Sequence, residues 1–232
     1  MLEAIILAGG LGTRLRATVP DLPKPMAPIN GKPFLEHQMD YWIHQGVSRF
    51  IISVGYMREK IISHFANEYR GVPIVYAEET EPLGTGGGLL LAYQQLIGEQ
   101  DFIVMNGDTF FEVSLAALQS FHQQKAANVT LALFNVSLND RYMGIALSDD
   151  GDIQQFKVTP GLSQLANGGV YIMRKDAFKD LPWQPGEKLS LEDDLFQYIR
   201  QSNHKIGGLV SQGRFIDIGV PEDYQRAAMM LI

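Results

Sequence analysis

The residues with the clearest capacity for chemistry stand near the N-terminus. An apolar run, Ile5-Ile6-Leu7-Ala8, leads into Gly9-Gly10-Leu11-Gly12-Thr13-Arg14-Leu15, and Lys24 follows ten residues after Arg14, between Pro23 and Pro25. Glycines let backbone groups approach a ligand closely. An Arg just past such a loop offers paired donors to an anion, and flanking prolines keep the Lys24 backbone extended and stiff. The stretch therefore suits a phosphate. Two other phosphate loops do not fit it. G-x-x-x-x-G-K-[ST] needs Lys-Ser or Lys-Thr, and neither follows Gly12. G-x-G-x-x-G, read from Gly10, needs a third glycine where Leu15 stands. A plain tight turn would explain the glycines alone; Arg14 and Lys24 tilt the reading to an anion site.

Further chemistry lies downstream. Asn106-Gly107-Asp108 ends an apolar run, and an Asp at the carboxyl end of a central strand sits at the ligand crevice of an open α/β sheet. A strand-ending turn explains the same three residues. Asp217, between Ile216 and Ile218, faces away from both in a strand and so is not core. Gly84-Thr85-Gly86-Gly87 follows a strand and reads either as a flexible loop or as a second ligand loop. The five histidines show no metal-binding spacing, and no G-x-S-x-G motif occurs, so no covalent hydrolase is indicated.

Elements must bring these groups together. The chain has 232 residues, 46% hydrophobic and 19% charged, enough for one large α/β domain or two small ones. Residues 4–8, 50–54, 74–77, 101–105 and 129–136 read as strands, with helices over 33–45, 57–69, 89–96 and 114–124. That alternation argues for a mainly parallel sheet with crossover helices. It then loosens. A hairpin is expected around Asp149-Asp150-Gly151, a strand over 168–173, a helix over 190–201 capped by Ser190, a strand over 215–219 and a last helix over 221–231. No linker divides the chain. The reading is a single domain over 1–232, with a nucleotide-binding core over 1–135 completed by a more mixed half over 136–232.

Composition narrows the class. Net charge is −7, which argues against a general nucleic-acid binder. There are no cysteines, hence no disulfides or thiolate zinc site. No run of eighteen apolar residues and no signal peptide is evident, so no membrane association and a cytoplasmic location are expected. Apolar stripes in the C-terminal half fit either core or a homodimer interface.

Leu7-Ala8-Gly9-Gly10-Leu11-Gly12-Thr13-Arg14-Leu15, followed by Pro23-Lys24-Pro25-Met26, resembles the signature of sugar-1-phosphate nucleotidyltransferases. The resemblance implies a Rossmann-like three-layer α/β/α nucleotidyltransferase fold with a mixed, mainly parallel central sheet. It implies that Arg14 grips the β- and γ-phosphates of an NTP, that Lys24 lies near the α-phosphate, and that Leu7, Ala8, Gly9, Gly10, Gly12 and Thr13 hold the nucleotide. Pro82-Leu83-Gly84-Thr85-Gly86-Gly87 matches the second nucleotide loop, giving Gly84, Thr85 and Gly86 to base and ribose. Glu78 or Glu79 falls where the family reads the base, and Glu79 is assigned. A carboxylate can accept both the N1 and N2 protons of guanine, which favours GTP.

On the same resemblance, Asp108 and Asp217 hold Mg2+, the latter in Phe215-Ile216-Asp217-Ile218-Gly219-Val220-Pro221-Glu222-Asp223-Tyr224, with Val220 where the family has Thr. Asn106, Asn167, Gly168 and Glu192 fall at the sugar, as does Gly144 in Arg141-Tyr142-Met143-Gly144. One departure stands out. The family has F-x-E-K before its Asn-x-Gly segment, and that Lys holds the sugar phosphate. This chain has Phe156-Lys157-Val158-Thr159, so Lys157, one residue after Phe156 and with no Glu-Lys, is the lysine expected to stand in for it.

The resemblance implies catalysis by Arg14, Lys24 and Asp108: NTP plus sugar 1-phosphate gives NDP-sugar and pyrophosphate. Gly12 to Arg16, Pro20 to Ile29 and Lys32 to Glu36 look most like D-glycero-α-D-manno-heptose 1-phosphate guanylyltransferases, which make GDP-heptose for bacterial surface polysaccharides. N-acetylmuramate 1-phosphate uridylyltransferases and mannose 1-phosphate guanylyltransferases are close. A GT-A glycosyltransferase would want D-x-D, but Thr109-Phe110 follows Asp108. A non-catalytic NDP-sugar-binding regulator would be signalled by loss of Arg14, Lys24, Asp108 or Asp217, and all four are present.

Overall fold

The computed structural model describes residues 1–15, 18–98, 101–136, 141–159, 163–202 and 204–231, so Arg16 of the first motif lies outside the described residues. The strands are β1 (Glu3–Ala8), β2 (Pro28–Ile29), β3 (Lys32–Pro33), β4 (Arg49–Val54), β5 (Glu68–Tyr69), β6 (Val72–Glu78), β7 (Phe102–Asn106), β8 (Thr109–Phe111), β9 (Val129–Asn135), β10 (Gly144–Leu147), β11 (Ile153–Val158), β12 (Leu165–Met173), β13 (Ile206–Val210) and β14 (Phe215–Asp217). The helices are α1 (Phe34–His44), α2 (Arg58–Phe65), α3 (Gly84–Tyr93), α4 (Leu115–Lys125), α5 (Phe196–Gln201) and α6 (Pro221–Met230).

The continuously apolar strands form the middle of the molecule. β7, β1, β4 and β6 lie side by side and parallel, with Ile5 opposite both Val104 and Ile51. β12 then joins β7 antiparallel, and beyond it lie β10 and β11 on one path and β9 with β13 on another. Alternation along each strand feeds two cores. Ala4, Ile6, Ile52 and Met105 face one side with Met39 and Trp42 of α1, Ile61 of α2 and Leu118 of α4. Ile5, Ile51 and Val104 face the other with Leu89 and Leu90 of α3 and Phe196 and Ile199 of α5. Each large apolar side chain so buried contributes about 1.5–3 kcal/mol relative to exposure. The result is helix, mixed sheet, helix, as the motif resemblance implied. Among the described residues no helix is long and apolar enough to cross a membrane.

A third core does the positioning. Leu15, Val19, Ala27 and Ile29 from the segment after the first loop pack with Phe34, Phe110, Ile216, Ile218 and Ala227. It fastens the loop bearing Arg14 and Lys24 to the β8–β14 pair and to α6.

Two helix expectations need correction. The helix expected over 57–69 stops at Phe65, because Ala66 turns to φ +50° and the chain doubles back at Arg70-Gly71 to pair β5 with β6. The glycine-rich stretch read as a loop before residue 89 is the first turns of α3. Its glycines serve packing. A Cβ on Gly84 would stand 2.7 Å from Leu189 O, and one on Gly86 would stand 2.9 Å from Ser190 C. The Gly86 and Gly87 N–H groups donate to Leu189 O at 2.9 and 3.1 Å. A backbone carbonyl thus satisfies donors that open helix N-termini leave to ligands.

Candidate active site

The carboxyl ends of β1 and β7 open into one cavity of about 750 Å³. This is the crevice where open α/β sheets take ligands. Sixteen of the expected residues line it: Leu7, Ala8, Gly9, Gly10, Gly12, Thr13, Arg14, Lys24, Glu79, Gly84, Thr85, Asn106, Asp108, Asn167, Glu192 and Asp217. They come from stretches more than two hundred residues apart.

Lys24 heads a short 3-10 turn over Lys24–Met26, closed by Met26 N–H to Pro23 O at 2.8 Å. Pro25 and Met26 are buried, so the turn cannot drift. The Lys24 stem crosses Gly12 so closely that a Cβ there would stand 2.9 Å from Lys24 Cγ. Its ammonium donates to Asp108 Oδ2 at 2.9 Å. Arg14 is exposed and lines the cavity, while its neighbour Leu15 is anchored in the third core.

Asp108 and Asp217 meet because β8 pairs antiparallel with β14. Asp217 opposes Thr109, and Ile218 N–H donates to Asp108 O at 3.0 Å. Asp217 Oδ1 accepts from Gly219 N–H at 2.6 Å, and Oδ2 accepts from Arg141 Nη2 at 2.8 Å. Arg141 also bonds Asp223 of α6. Burial opposes the Arg141 charge, but the bonds to Asp217 and Asp223 outweigh it and raise its pKa. Among the described residues no cluster of three or more His, Cys, Asp or Glu could hold a metal. Two adjacent carboxylates facing a cavity nonetheless suit a hard divalent cation, which fills its remaining positions with water and phosphate oxygens.

Of the two base-reading candidates, Glu79 enters the cavity wall and Glu78 does not. Glu78 pairs with Arg58 at 3.1 Å. Glu79 is 7% exposed. Its Oε1 accepts from Ser53 Oγ at 2.8 Å and its Oε2 from Leu83 N–H at 3.1 Å. Gly9 and Gly88 flank the carboxylate: a Cβ on Gly88 would lie 2.9 Å from Oε1, and one on Gly9 would collide with it. Each carboxylate oxygen carries two lone-pair directions, so the carboxylate keeps acceptor capacity.

Asn167 organises another part of the wall. Its amide donates to Glu192 Oε1 at 2.6 Å and to Tyr171 Oη at 2.8 Å, and its oxygen accepts from Gly169 N–H at 3.0 Å. Burial, then the Glu192 charge, raises the Tyr171 pKa, keeping it protonated. β12 bulges here, since its register against β9 jumps between Asn167 and Tyr171. Gly169 sits at φ +71°, a backbone that glycine adopts without strain. Glu192 lies in a single π turn over Leu191–Leu195, entered by Ser190 Oγ capping Asp193 N–H at 3.1 Å. Thr109 Oγ1 is buried without a hydrogen-bond partner among the described residues, in a residue that lines the cavity.

Four expected residues do not line the cavity. Gly86 packs on Ser190, Gly144 on Ser163 and Val158, and Gly168 against the Phe111 ring. Lys157 pairs with Asp193 outside it, a bond that raises its pKa. Sequence reasoning missed several lining residues, among them Tyr142, Lys188 and Phe215. Arg141 and Tyr142 belong to a motif that had been used only for its glycine. Nothing in Gly186-Glu187-Lys188-Leu189 distinguishes Lys188 from a solvated loop lysine.

A mixed three-layer sheet whose carboxyl edge gathers a glycine loop, cations and paired carboxylates is the frame of a nucleotidyltransferase. The chain belongs to the nucleotidyl transferase family, whose pattern it matches over residues 3–232. It is 42% identical over 229 residues to D-glycero-alpha-D-manno-heptose 1-phosphate guanylyltransferase of Aneurinibacillus thermoaerophilus, covering 97% of this chain and 96% of that protein. The Campylobacter jejuni protein of the same name is 40% identical over 224 residues, 96% of this chain and 97% of its own. The crystal structure of HddC from Yersinia pseudotuberculosis superposes with a TM-score of 0.85 at 33% identity, over all of both chains. The HddC complex with GMP-PN superposes with a TM-score of 0.84, again over all of both chains.

Proposed function

We propose that the protein transfers GMP from GTP to D-glycero-α-D-manno-heptose 1-phosphate, releasing pyrophosphate and making GDP-heptose for a bacterial surface polysaccharide. The observation that carries this reading is the convergence of Arg14, Lys24, Asp108 and Asp217 on one cavity that also holds buried Glu79. The names of the relatives at 40–42% identity supply the sugar and the base.

The nucleophile is a phosphate oxygen of the sugar 1-phosphate, already anionic at neutral pH. No strong general base is required, and the barrier falls through positioning and charge neutralisation. Attack on the α-phosphorus forms the new P–O bond as the bond to pyrophosphate breaks. Arg14 holds the β- and γ-phosphates, and Lys24 stabilises charge moving onto the leaving group. Asp108 and Asp217 would hold Mg2+, which supplies further neutralisation of the phosphates when bound. Glu79 accepts the N1 and N2 protons of guanine. Glu192, oriented by Asn167, accepts from sugar hydroxyls, with Thr109 Oγ1 available as a further partner. On this reading residues 1–135 chiefly bind the nucleotide and 136–232 the sugar, and the reaction belongs in the cytoplasm, where GTP is available.

Pyrophosphate release, assayed across four NTPs and a panel of sugar 1-phosphates, tests the proposal. Release should be greatest with GTP and the heptose 1-phosphate. Release with another pair in preference would reassign the substrates, and no release with any pair would overturn the reading.

A further inference from the structure

Both carboxylates assigned to a divalent cation are already paired with protein cations. Lys24 holds Asp108 Oδ2 at 2.9 Å. Arg141 Nη2 holds Asp217 Oδ2 at 2.8 Å and touches the Asp217 main-chain oxygen at 3.3 Å. Gly219 N–H takes the other carboxylate oxygen, Oδ1. A divalent ion bound through Oδ2 must therefore either share that oxygen with a guanidinium whose positive charge opposes it at close range, or displace it.

Arg141 has an alternative partner in reach. Its Nη1 bonds Asp223 Oδ2 in the first turn of α6. Asp223 is 8% exposed and meets Arg226 at 3.1 Å, so it is a built acceptor. The guanidinium also lies 4.9 Å from the Tyr142 ring centre, and Tyr142 packs edge-on against Phe215 at 5.6 Å. That contact ties the Arg141 turn to the strand that carries Asp217. A change of partner thus requires only a shift of the side chain between two acceptors it already touches.

We propose that Arg141 guards Asp217: it neutralises Oδ2 while no divalent cation is bound and withdraws onto Asp223 when one arrives with the nucleotide. Free metal alone must compete with a pre-formed ion pair, whereas metal on a triphosphate arrives already coordinated by phosphate oxygens, whose negative charge offsets the loss of that pair. The site then discriminates against metal without nucleotide. This inference rests on Asp108 and Asp217 being the metal ligands.

The test is Mn2+ titrated into the full chain, with free ion read by electron paramagnetic resonance, with and without GTP. Circular dichroism and thermal melting confirm that each variant is folded. Without nucleotide, Arg141→Gln should bind Mn2+ about tenfold more tightly than wild type, because a positive charge beside the site is gone. With GTP present, Asp223→Asn, which leaves Arg141 only Asp217 as a carboxylate partner, should need several-fold more Mn2+ for half-saturation. Opposite shifts from two ends of one network are not expected of a merely structural ion pair. Mn2+ binding within twofold of wild type, or undetectable in both, for folded Arg141→Gln overturns the guard. If Arg141→Gln does not fold, an unchanged midpoint in Asp223→Asn overturns it. Asp217→Asn separates the guard from its premise. If that variant loses Mn2+ while the other two are unshifted, the guard alone fails; if it binds Mn2+ as wild type does, the metal assignment fails and takes the guard with it.

Discussion

Glu79→Gln is the most informative single change, because it preserves shape and alters only acceptor and donor pattern. In the wild type Ser53 Oγ and Leu83 N–H occupy one lone-pair direction on each carboxylate oxygen. The remaining directions are those proposed for guanine N1–H and N2–H. Leu83 N–H requires an acceptor, so the glutamine oxygen must turn to it and the amide nitrogen to Ser53, whose hydroxyl can accept instead. Guanine then meets one acceptor and one donor. The lost charge-assisted bond is worth about 1.5–3 kcal/mol, and a donor facing a donor costs about 1–3 kcal/mol more. The sum of roughly 2.5–6 kcal/mol corresponds to about two to four orders of magnitude in kcat/KM for GTP. Uracil presents an imide donor flanked by carbonyls, which a carboxamide can match, so UTP turnover should change little. The assay is steady-state pyrophosphate release with each NTP, alongside a melting curve. A folded Glu79→Gln enzyme that keeps the wild-type GTP-to-UTP ratio within threefold would refute the assignment of Glu79 to the base.

Three further outcomes follow from the same geometry. Asp108→Asn should lower kcat by about a hundredfold or more, as loss of a transition-state charge partner does, with little change in melting temperature; near-normal turnover would sink the metal assignment. Gly169→Ala should destabilise the fold by about 2 kcal/mol, since φ +71° strains an L-residue and its Cβ would stand 2.6 Å from Thr109 Oγ1; urea unfolding measures this, and an unchanged midpoint would contradict it. His122 is buried, its Nδ1 within 2.7 Å of Thr130 Oγ1, and burial lowers its pKa, with Asp101 opposing and Arg174 assisting. The unfolded chain then takes up the proton first, so the contribution of His122 to stability is complete above its unfolded pKa of about 6.5 and lost as pH falls through the lower folded value. Burial lowers His37 as well, so His122→Gln should reduce, not abolish, the loss of urea stability between pH 7 and pH 5. A slope equal to wild type would count against the assignment.

The middle of the sheet was legible because its strands carry their own signal. Ala4-Ile5-Ile6 and Phe50-Ile51-Ile52 are buried on both faces and so read as unbroken apolar runs. Strands that depend on a neighbour were not legible. β2, β3 and β5 are two residues long, and β13 contains Gly207-Gly208, so neither length nor propensity marks them. The start of α3 failed for a tertiary reason. Four glycines in five residues oppose helix locally, yet they are what lets the Glu187–Ser190 backbone lie against the helix. In the site, Arg14, Lys24, Asp108 and Asp217 were visible through ordered motifs, because their spacing is held by loops and strand ends. Asn167 and Glu192 were expected in the site from their motifs and both line the cavity, but their bond to each other was not legible, since it joins residues twenty-five apart through a bulge and a π turn. The departure at Lys157 was plain in the sequence; its outward pairing with Asp193 depends on the relative placement of β11 and that turn.

The central claim is that a sugar phosphate oxygen attacks the α-phosphorus of GTP in this cavity. Heptose 1-phosphate labelled with 18O at its three non-bridging phosphate oxygens, turned over with unlabelled GTP, tests it most directly by mass spectrometry of both products. Direct attack predicts that all three labels appear in GDP-heptose and none in pyrophosphate. Label in the released phosphate product, or GDP-heptose lacking it, would contradict the account.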